Sequence, residues 1–371
     1  MSRTVLQFGP QHPSGGGLLH MLVTFDGDTV EKVDIDLGFL HRAFEKRAED
    51  RQFFQYIPVT NKIDYVGTIA WEGLWVAAVE KAIGWEPTKR AQYIRVMSLE
   101  MQRIISHLLF FGAFGADLGQ MTVFLWAFRE REPFMNLLEE LTGGRLLCNY
   151  YRFGGVDSDV PPNFLQKLSS AVDTLEGRLP ELEGLCEDNR IFVERTKGIG
   201  IIPKQKAMDF QVCGPVLRGS GVSYDVRKND PYLVYPELKF DVVTEPAGDC
   251  FARYRVRVRE IYESIKIIKQ VIEKIPEGPF NMHPGTPQQR LVKYWMLKIP
   301  PKEVFVRYEN PKGEGSIYLV TDGGKMAYRA KMKAAAFCNL QILPEICKGV
   351  RIADLPALVG SLDLVFGEVD R

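Results

Sequence analysis

The chain contains no Cys-x-x-Cys pair. Its six cysteines, Cys148, Cys186, Cys213, Cys250, Cys338 and Cys347, are scattered with no histidine at metal-binding spacing. That argues against an iron–sulfur site and against a disulfide framework, and for reduced, mostly buried thiols in a cytoplasmic setting. Histidine is scarce. The five, His12, His20, His41, His107 and His283, form no His-x-x-x-His or Glu-x-x-His pair, so no metal site is expected. His107 interrupts an apolar helical run and reads as a satisfied core histidine. Net charge is also missing, with 47 Lys+Arg against 47 Asp+Glu. Nothing therefore suggests a nucleic-acid footprint or a polybasic anchor. A phosphate cradle is absent too. Gly15-Gly16-Gly17 lacks a Gly-Lys-Ser/Thr ending and precedes a strand, and neither Gly198-Ile199-Gly200 nor Arg218-Gly219-Ser220-Gly221 has the third glycine of a dinucleotide loop. The most apolar run, Ile104 to Ala116, is bracketed by Arg103 and Asp117. It falls short of the roughly 20 residues that cross a bilayer, so any membrane role is expected through a partner. No long apolar run follows Met1-Ser2-Arg3-Thr4, so no secretory signal is expected.

What is present is a core-forming chain: 371 residues, 46% hydrophobic and 25% charged. After the Pro/Gly-rich loop Phe8 to Gly17, strands are expected at Leu18 to Phe25 and Val30 to Ile35 around the turn Asp26-Gly27-Asp28. From about Ala43 the period becomes helical. The clearest helix starts near Thr88 and carries Ile94, Met97, Met101, Ile104, Leu108 and Phe111, with Gly112, Gly115 and Gly119 weakening its end. Further helices are expected at Met121 to Leu141, from Pro161-Pro162 to Leu185, and at Arg253 to Glu273. Strands return at Glu303 to Tyr308 and Ser316 to Val320, separated by Asn310 to Gly315, and at Tyr328 to Met332. The one linker-like patch is Pro276 to Gln289. The expected fold is mainly α with α+β ends: one domain over 1–371, β-rich at 1–38, a helical core at 39–275 and a β-containing part at 300–371.

The stretch Phe39-Leu40-His41-Arg42-Ala43-Phe44-Glu45-Lys46-Arg47, continuing to Arg51-Gln52 and Lys62-Ile63-Asp64-Tyr65, organises the chain. By itself it reads as an ordinary amphipathic helix with its charges pointing outward; the competing reading is that some are paired inside or held against a partner, because buried unpaired charge is costly. It also resembles the signature of the hydrogenase-like 49 kDa-class subunit of respiratory complex I (NADH:quinone oxidoreductase). Further blocks carry the resemblance: Arg90 to Val96, Phe128-Arg129-Glu130-Arg131-Glu132, Tyr151 to Val156, Leu217 to Gly221, Asp225-Val226-Arg227-Lys228, Gly248-Asp249-Cys250, and Val365 to Arg371, which looks like the family's own C-terminus.

The resemblance implies a helical bundle like the large subunit of nickel–iron hydrogenases, with small sheets near both ends. Those enzymes hold their metals with two Cys-x-x-Cys pairs, and the aligned positions here are Asp64 and Gly67, and Val365 and Glu368. The chain is therefore expected to bind no nickel and no cofactor of its own. The resemblance places a quinone in the vacated cavity as substrate, with a [4Fe–4S] cluster in a partner subunit. Tyr65 matches the tyrosine that hydrogen-bonds a quinone carbonyl, Asp117 matches the family's buried aspartate, and His12 is a weaker candidate. Lys62, Arg218, Asp225 and Arg227 are expected to be structural or cluster-proximal. Taken alone, Tyr65 is a core tyrosine and Asp117 a helix-end carboxylate. Implied partners are the iron–sulfur subunit with the terminal cluster, a 30 kDa-type subunit and a membrane-arm subunit at the quinone channel, with no nucleic acid. The implied location is peripheral, on the cytoplasmic side of the inner (plasma) membrane, with electron transfer coupled to proton translocation.

Three positions depart from the family. Gly16 stands where the early loop's second histidine is usual, Leu147 where a histidine flanks the cluster, and Lys62 where an arginine precedes the Asp-Tyr pair. Losing two groups that titrate near neutrality, and a planar donor, suggests a divergent or paralogous member of the class with a lower-potential cluster, paired with a low-potential quinone or another acceptor. The alternative is a non-catalytic connector in a hydrogenase-related energy-converting membrane complex.

Overall fold

The computed structural model describes residues 4–12 and 17–371, with no side-chain description at His12 and Gly17. β1 (Thr4–Phe8) is followed by the two-residue strands β2 (Gln11–His12) and β3 (Gly17–Leu18), then by β4 (His20–Asp26) and β5 (Thr29–Asp36). β4 and β5 make the expected hairpin, Asp26 pairing with Thr29 across Gly27-Asp28. Gly27 has φ 65°, the left-handed conformation that favours glycine in such a turn. β1 adds to the free edge of β4. Met21 and Val23 point inward as the two-residue period requires, and Val30 and Val33 join them because the ladder shifts register between Thr24 and Phe25.

The short helices α1 (Phe44–Glu49) and α2 (Phe53–Thr60) lead into α3 (Thr68–Ile83), α4 (Lys89–Asp117) and α5 (Met121–Thr142). α4 starts where the cap dictates: Thr88 Oγ1 accepts the Ala91 N–H at 3.3 Å. Every apolar residue of its expected stripe is buried. The expectation that Gly112 and Gly115 weaken the end of this helix is corrected. The helix runs through both, because they are where α5 comes closest. A Cβ on Gly115 would lie 2.6 Å from Val123 Cγ1, and one on Gly112 3.3 Å from Phe124 Cα. The stop comes at Gly119, with φ 84°.

The strand pair β6 (Tyr151–Arg152) and β7 (Gly155–Val156) precedes α6 (Phe164–Glu187), and four short helices follow: α7 (Arg190–Glu194), α8 (Lys204–Asp209), α9 (Gly214–Arg218) and α10 (Val226–Asn229). α11 (Cys250–Lys274) begins at the Asp249 cap, whose Oδ1 accepts the Ala252 N–H at 2.7 Å, and packs on α4. The linker reading of Pro276 to Gln289 is also corrected. Asn281 pairs with Gly155, and Thr286 and Gln289 form a capping box that starts α12 (Pro287–Trp295).

In the last third, β8 (Lys302–Asn310) and β9 (Gly313–Thr321) are longer than their apolar runs. Asn310 pairs with Gly313, so the expected six-residue gap closes to a turn at Pro311-Lys312. Its glycines let backbones meet: a Cβ on Gly214 would lie 2.3 Å from Gly313 Cα. β10 (Arg329–Lys333) pairs with β9, and α13 (Ala335–Leu340), α14 (Leu343–Cys347), α15 (Leu355–Leu362) and α16 (Phe366–Val369) complete the chain. The fold is thus mainly α with small antiparallel sheets. One apolar core runs from Phe8 to Val369. All six cysteines are free and buried. Among the described residues, no helix is long and apolar enough to cross a membrane.

Candidate functional site

The charged stretch after Leu37 is held by residues 365–371. Asp370 accepts the backbone N–H groups of Gly38 (3.1 Å) and Leu40 (2.8 Å), and its carbonyl meets His41 Nδ1 at 2.6 Å. Glu45 receives Lys331 at 2.9 Å, Arg329 at 3.2 Å and Arg371 at 3.7 Å. The acidic charges of α1, Glu45 and Glu49, are therefore paired against β10 or the tail, so the charges of this helix do not all face solvent. Arg42 donates to the Lys62 carbonyl at 2.6 Å, and Gly367 is small enough to let it pass: a Cβ there would lie 2.8 Å from Arg42 Nη2.

That arrangement brings residues 62–67 against residues 365–368. Asp64 is fully buried, accepts the Val66 N–H at 3.0 Å and faces Lys312 Nζ at 3.4 Å. Lys312, delivered by the β8–β9 turn, is buried as well. It contacts Ser106 Oγ at 3.2 Å and Asp363, the C-cap of α15, at 4.0 Å. Burial works against its charge, yet Asp363, Asp64 and Glu368 together raise its pKa. Glu368 is fully buried and receives the Ala336 N–H at 3.1 Å. Burial first, and then the Asp64 charge, pushes Glu368 up to about 7. The indole of Trp71 leans on the same carboxyl without closing a hydrogen bond. Gly67 is required here, since a Cβ would sit 2.5 Å from Asp64 Oδ2. Asp64 and Glu368, two of the four positions aligned with metal-binding cysteines, are thus buried in one cluster with a lysine that Asp64 touches and whose charge Glu368 feels. Among the described residues, no group of three or more His, Cys, Asp or Glu is placed to hold a metal ion.

Tyr65 stands half-buried at the edge of this cluster. Burial raises its pKa, the Asp64 charge raises it further, and Lys312 and Arg42 oppose them. The phenol therefore stays protonated at neutral pH between a carboxylate and two cations, a setting suited to donating a hydrogen bond or a proton.

Arg218, Asp225 and Arg227 fall into one buried ion network. Arg218 bonds Glu260 at 2.7 Å and Glu309 at 2.8 Å, and approaches Asp225 at 3.8 Å. Arg227 bonds Asp225 at 2.7 Å and Glu100 at 3.0 Å. His107 Nε2 meets Glu260 at 2.9 Å, so this core histidine is partnered at that nitrogen, although Nδ1 has no hydrogen bond. Arg103 donates to the carbonyls of Glu309 (2.6 Å) and Asn310 (3.2 Å) and so clamps the turn that carries Lys312. Lys62 lies apart from this network: its Nζ turns back to the Pro58 carbonyl at 2.8 Å.

Asp117 ends α4 and abuts α15, where a Cβ on Gly360 would lie 2.8 Å from its Oδ2. It is three helical turns from Ser106, about 16 Å along the axis. Leu147 and its neighbour Leu146 are exposed apolar residues. They sit beside the Tyr65 segment, because Thr68 Oγ1 donates to the Leu146 carbonyl at 3.1 Å and Asn61 donates to that of Cys148. Gly16 lies outside the described residues, and of His12 only its backbone pairing with Gly17 is described. Sequence reasoning missed Lys312, Asp363, Glu260 and Glu309. A lysine in an Asn-Pro-Lys-Gly turn looks like a solvent-facing loop, and only burial of the turn reveals otherwise.

Comparison of the sequence with known proteins gives this bundle and its buried cluster a family. Residues 117–371 fit the family model described as respiratory-chain NADH dehydrogenase, 49 kDa subunit. Chains named as NADH-quinone oxidoreductase subunits from Methylacidiphilum infernorum (42% identical, over 100% of this chain and 92% of the relative) and Rhizobium etli strain CIAT 652 (43%, over 99% and 95%) align along their length. So does an NAD(P)H-quinone oxidoreductase subunit of a Synechococcus strain (42%, over 100% and 98%). The chain belongs to the family of the 49 kDa subunit of respiratory-chain NADH dehydrogenase.

Proposed function

We propose that this chain is the peripheral-arm core subunit of an NADH:quinone oxidoreductase complex and forms the quinone headgroup site. The observation that carries the reading is Tyr65, a protonated phenol held between the Asp64 charge and the cations Lys312 and Arg42, in a chain some 42% identical to subunits named for quinone reduction. Quinone reduction consumes two electrons and two protons. The electrons come from a [4Fe–4S] cluster in a partner subunit, and Tyr65 donates to a quinone carbonyl. Asp117 and His12 complete the proposed site. Lys62, Arg218, Asp225 and Arg227 serve structure, the last three by anchoring the strand that delivers Lys312. The chain forms a single domain, a reading the continuous core supports, with the hydrogenase large-subunit-like layout that the family resemblance implies.

The exposed Leu146 and Leu147 fit a surface turned toward the cluster-bearing subunit. The 30 kDa-type subunit and the membrane-arm subunit complete the assembly, on the cytoplasmic side of the membrane, where quinone reduction drives proton translocation. The connector alternative is not favoured, because the full-length relatives are named as oxidoreductase subunits. The test is quinone-analogue reduction by the purified complex, wild type against Tyr65→Phe. A loss of tenfold or more, about 1.4 kcal/mol of transition-state stabilisation, is expected. An unchanged rate removes Tyr65 from the mechanism.

A further inference from the structure

Lys312 has more carboxylates around it than it can balance. Asp363, at 4.0 Å, is partly exposed and has a second cation, Arg257, at 3.7 Å. That leaves Asp64 and Glu368, both fully buried, to one ammonium. Two further observations point into the cluster. Glu368 Oε1 is buried with no hydrogen-bond partner, and Asp64 Oδ2 has only the ion contact to Lys312. Two ionised carboxylates here would leave one buried negative charge without a partner, which the interior strongly disfavours. A single proton removes it, and like-charged carboxylates in one site take up such a proton in common.

We propose that the buried Asp64 and Glu368, with Asp64 on the one ammonium of Lys312, form a proton-binding site of this chain, two carboxylates that hold one proton between them beside Tyr65. The site stands on its own geometry; only its bearing on the phenol rests on the quinone reading. The groups facing it from every side are Lys312 on the β8–β9 turn, Asp363 at the end of α15, Cys213 before α9, Cys338 on α13, and Tyr65 and Arg42 on the 39–65 stretch. Burial keeps both thiols protonated, so Glu368 is the group here that changes charge near neutrality. When the pair holds its proton, Tyr65 faces less negative charge and is the stronger acid. When the pair is empty, the phenol holds its proton more tightly.

Infrared spectroscopy of the full-length chain tests this, because only a protonated carboxyl shows the carboxylic-acid carbonyl band. The wild type is expected to lose one such band as pH rises through neutrality. Glu368→Gln removes it, and Asp64→Asn moves its titration down by a pH unit or more because the like charge is gone. Glu72→Gln separately assigns the other buried carboxyl that burial pushes up, to about 8. A Glu368 carboxyl ionised throughout the neutral range, or one indifferent to Asp64→Asn, overturns the proposal. If Glu368→Gln does not fold, the Asp64→Asn shift decides alone. In the assembled complex, wild-type quinone-analogue reduction should decline as pH rises through the same titration, and Glu368→Gln should flatten that limb. Loss of activity in Tyr65→Phe with no infrared titration overturns the proton site while the quinone reading stands. A titrating band with Tyr65→Phe fully active supports the site and removes the quinone reading.

Discussion

At the scale of single residues, Leu147 is the position whose effect on the proposed redox partner can be tested. Leu147 is 43% exposed and lies next to the segment that carries Tyr65. A leucine offers a neighbouring cluster neither a hydrogen bond nor a titrating charge. Leu147→His is therefore expected to raise the reduction potential of the partner's terminal cluster and make it fall with rising pH, as read by redox titration of the complex's spin signal. An unchanged, pH-independent potential removes Leu147 from the cluster's surroundings. Tyr65 and Asp64 were visible in the sequence because they sit in a block dense with matching residues. Lys312 was not. Its chemistry depends on being buried beside Asp64, from which it is 248 positions distant in the chain, and no local pattern encodes that.

At the scale of elements, two glycines in helices have opposite meanings. Gly115 in α4 is a contact point, where an added Cβ meets Val123 at 2.6 Å. Gly177 in α6 has open space around it. Gly177→Ala is expected to stabilise the chain by about 0.5–1 kcal/mol through helix propensity and lost unfolded-state freedom. Gly115→Ala is expected to destabilise it by about 1–3 kcal/mol through overpacking, despite the same propensity gain. Chemical unfolding of the full-length chain measures both, and stabilisation by Gly115→Ala would show that α4 and α5 separate easily. The existence of the long helices and the inward stripe of α4 were legible from the 3.6-residue period. The ends were less so, because tertiary contact overrode propensity at Gly112 and Gly115, and cross-strand pairing drew Gly313-Glu314-Gly315 into β9.

At the scale of the whole molecule, buried ionisable groups make stability depend on pH from two directions. Glu260 and Asp225 are held below the usual carboxylate range by Arg218 and Arg227 respectively, against the opposing effect of burial. Their contribution is present above an unfolded pKa of about 4 and is lost as pH falls through the folded values. Glu368 shifts the other way, up to about 7. The folded chain binds its proton more tightly than the unfolded chain does, so stability declines as pH rises from about 4.3 through 7. The unfolding free energy should therefore peak in the mildly acidic range and fall on both sides. Glu368→Gln should lessen the alkaline limb, leaving the part due to Glu72, which burial pushes up to about 8, and should leave the acid limb intact. Unfolding midpoints across pH check this, and an alkaline limb unchanged in the variant would assign it to other groups.

By itself the sequence determined the long helices α4, α5, α6 and α11 and the strands β4, β5, β8, β9 and β10, that the chain carries no cysteine metal cradle, and the family to which it belongs. These follow from period, spacing and residue type, all local or alignable properties. Only the tertiary structure decided that Asp64, Lys312 and Glu368 share one buried site, that Arg218, Asp225 and Arg227 join one network with Glu100, Glu260 and Glu309, and that residues 365–371 lock the charged stretch at 38–45. Whether a charge is a solvated ornament or a chemical group is set by the dielectric and the counter-charges around it. Those come from residues hundreds of positions apart, brought together only by packing.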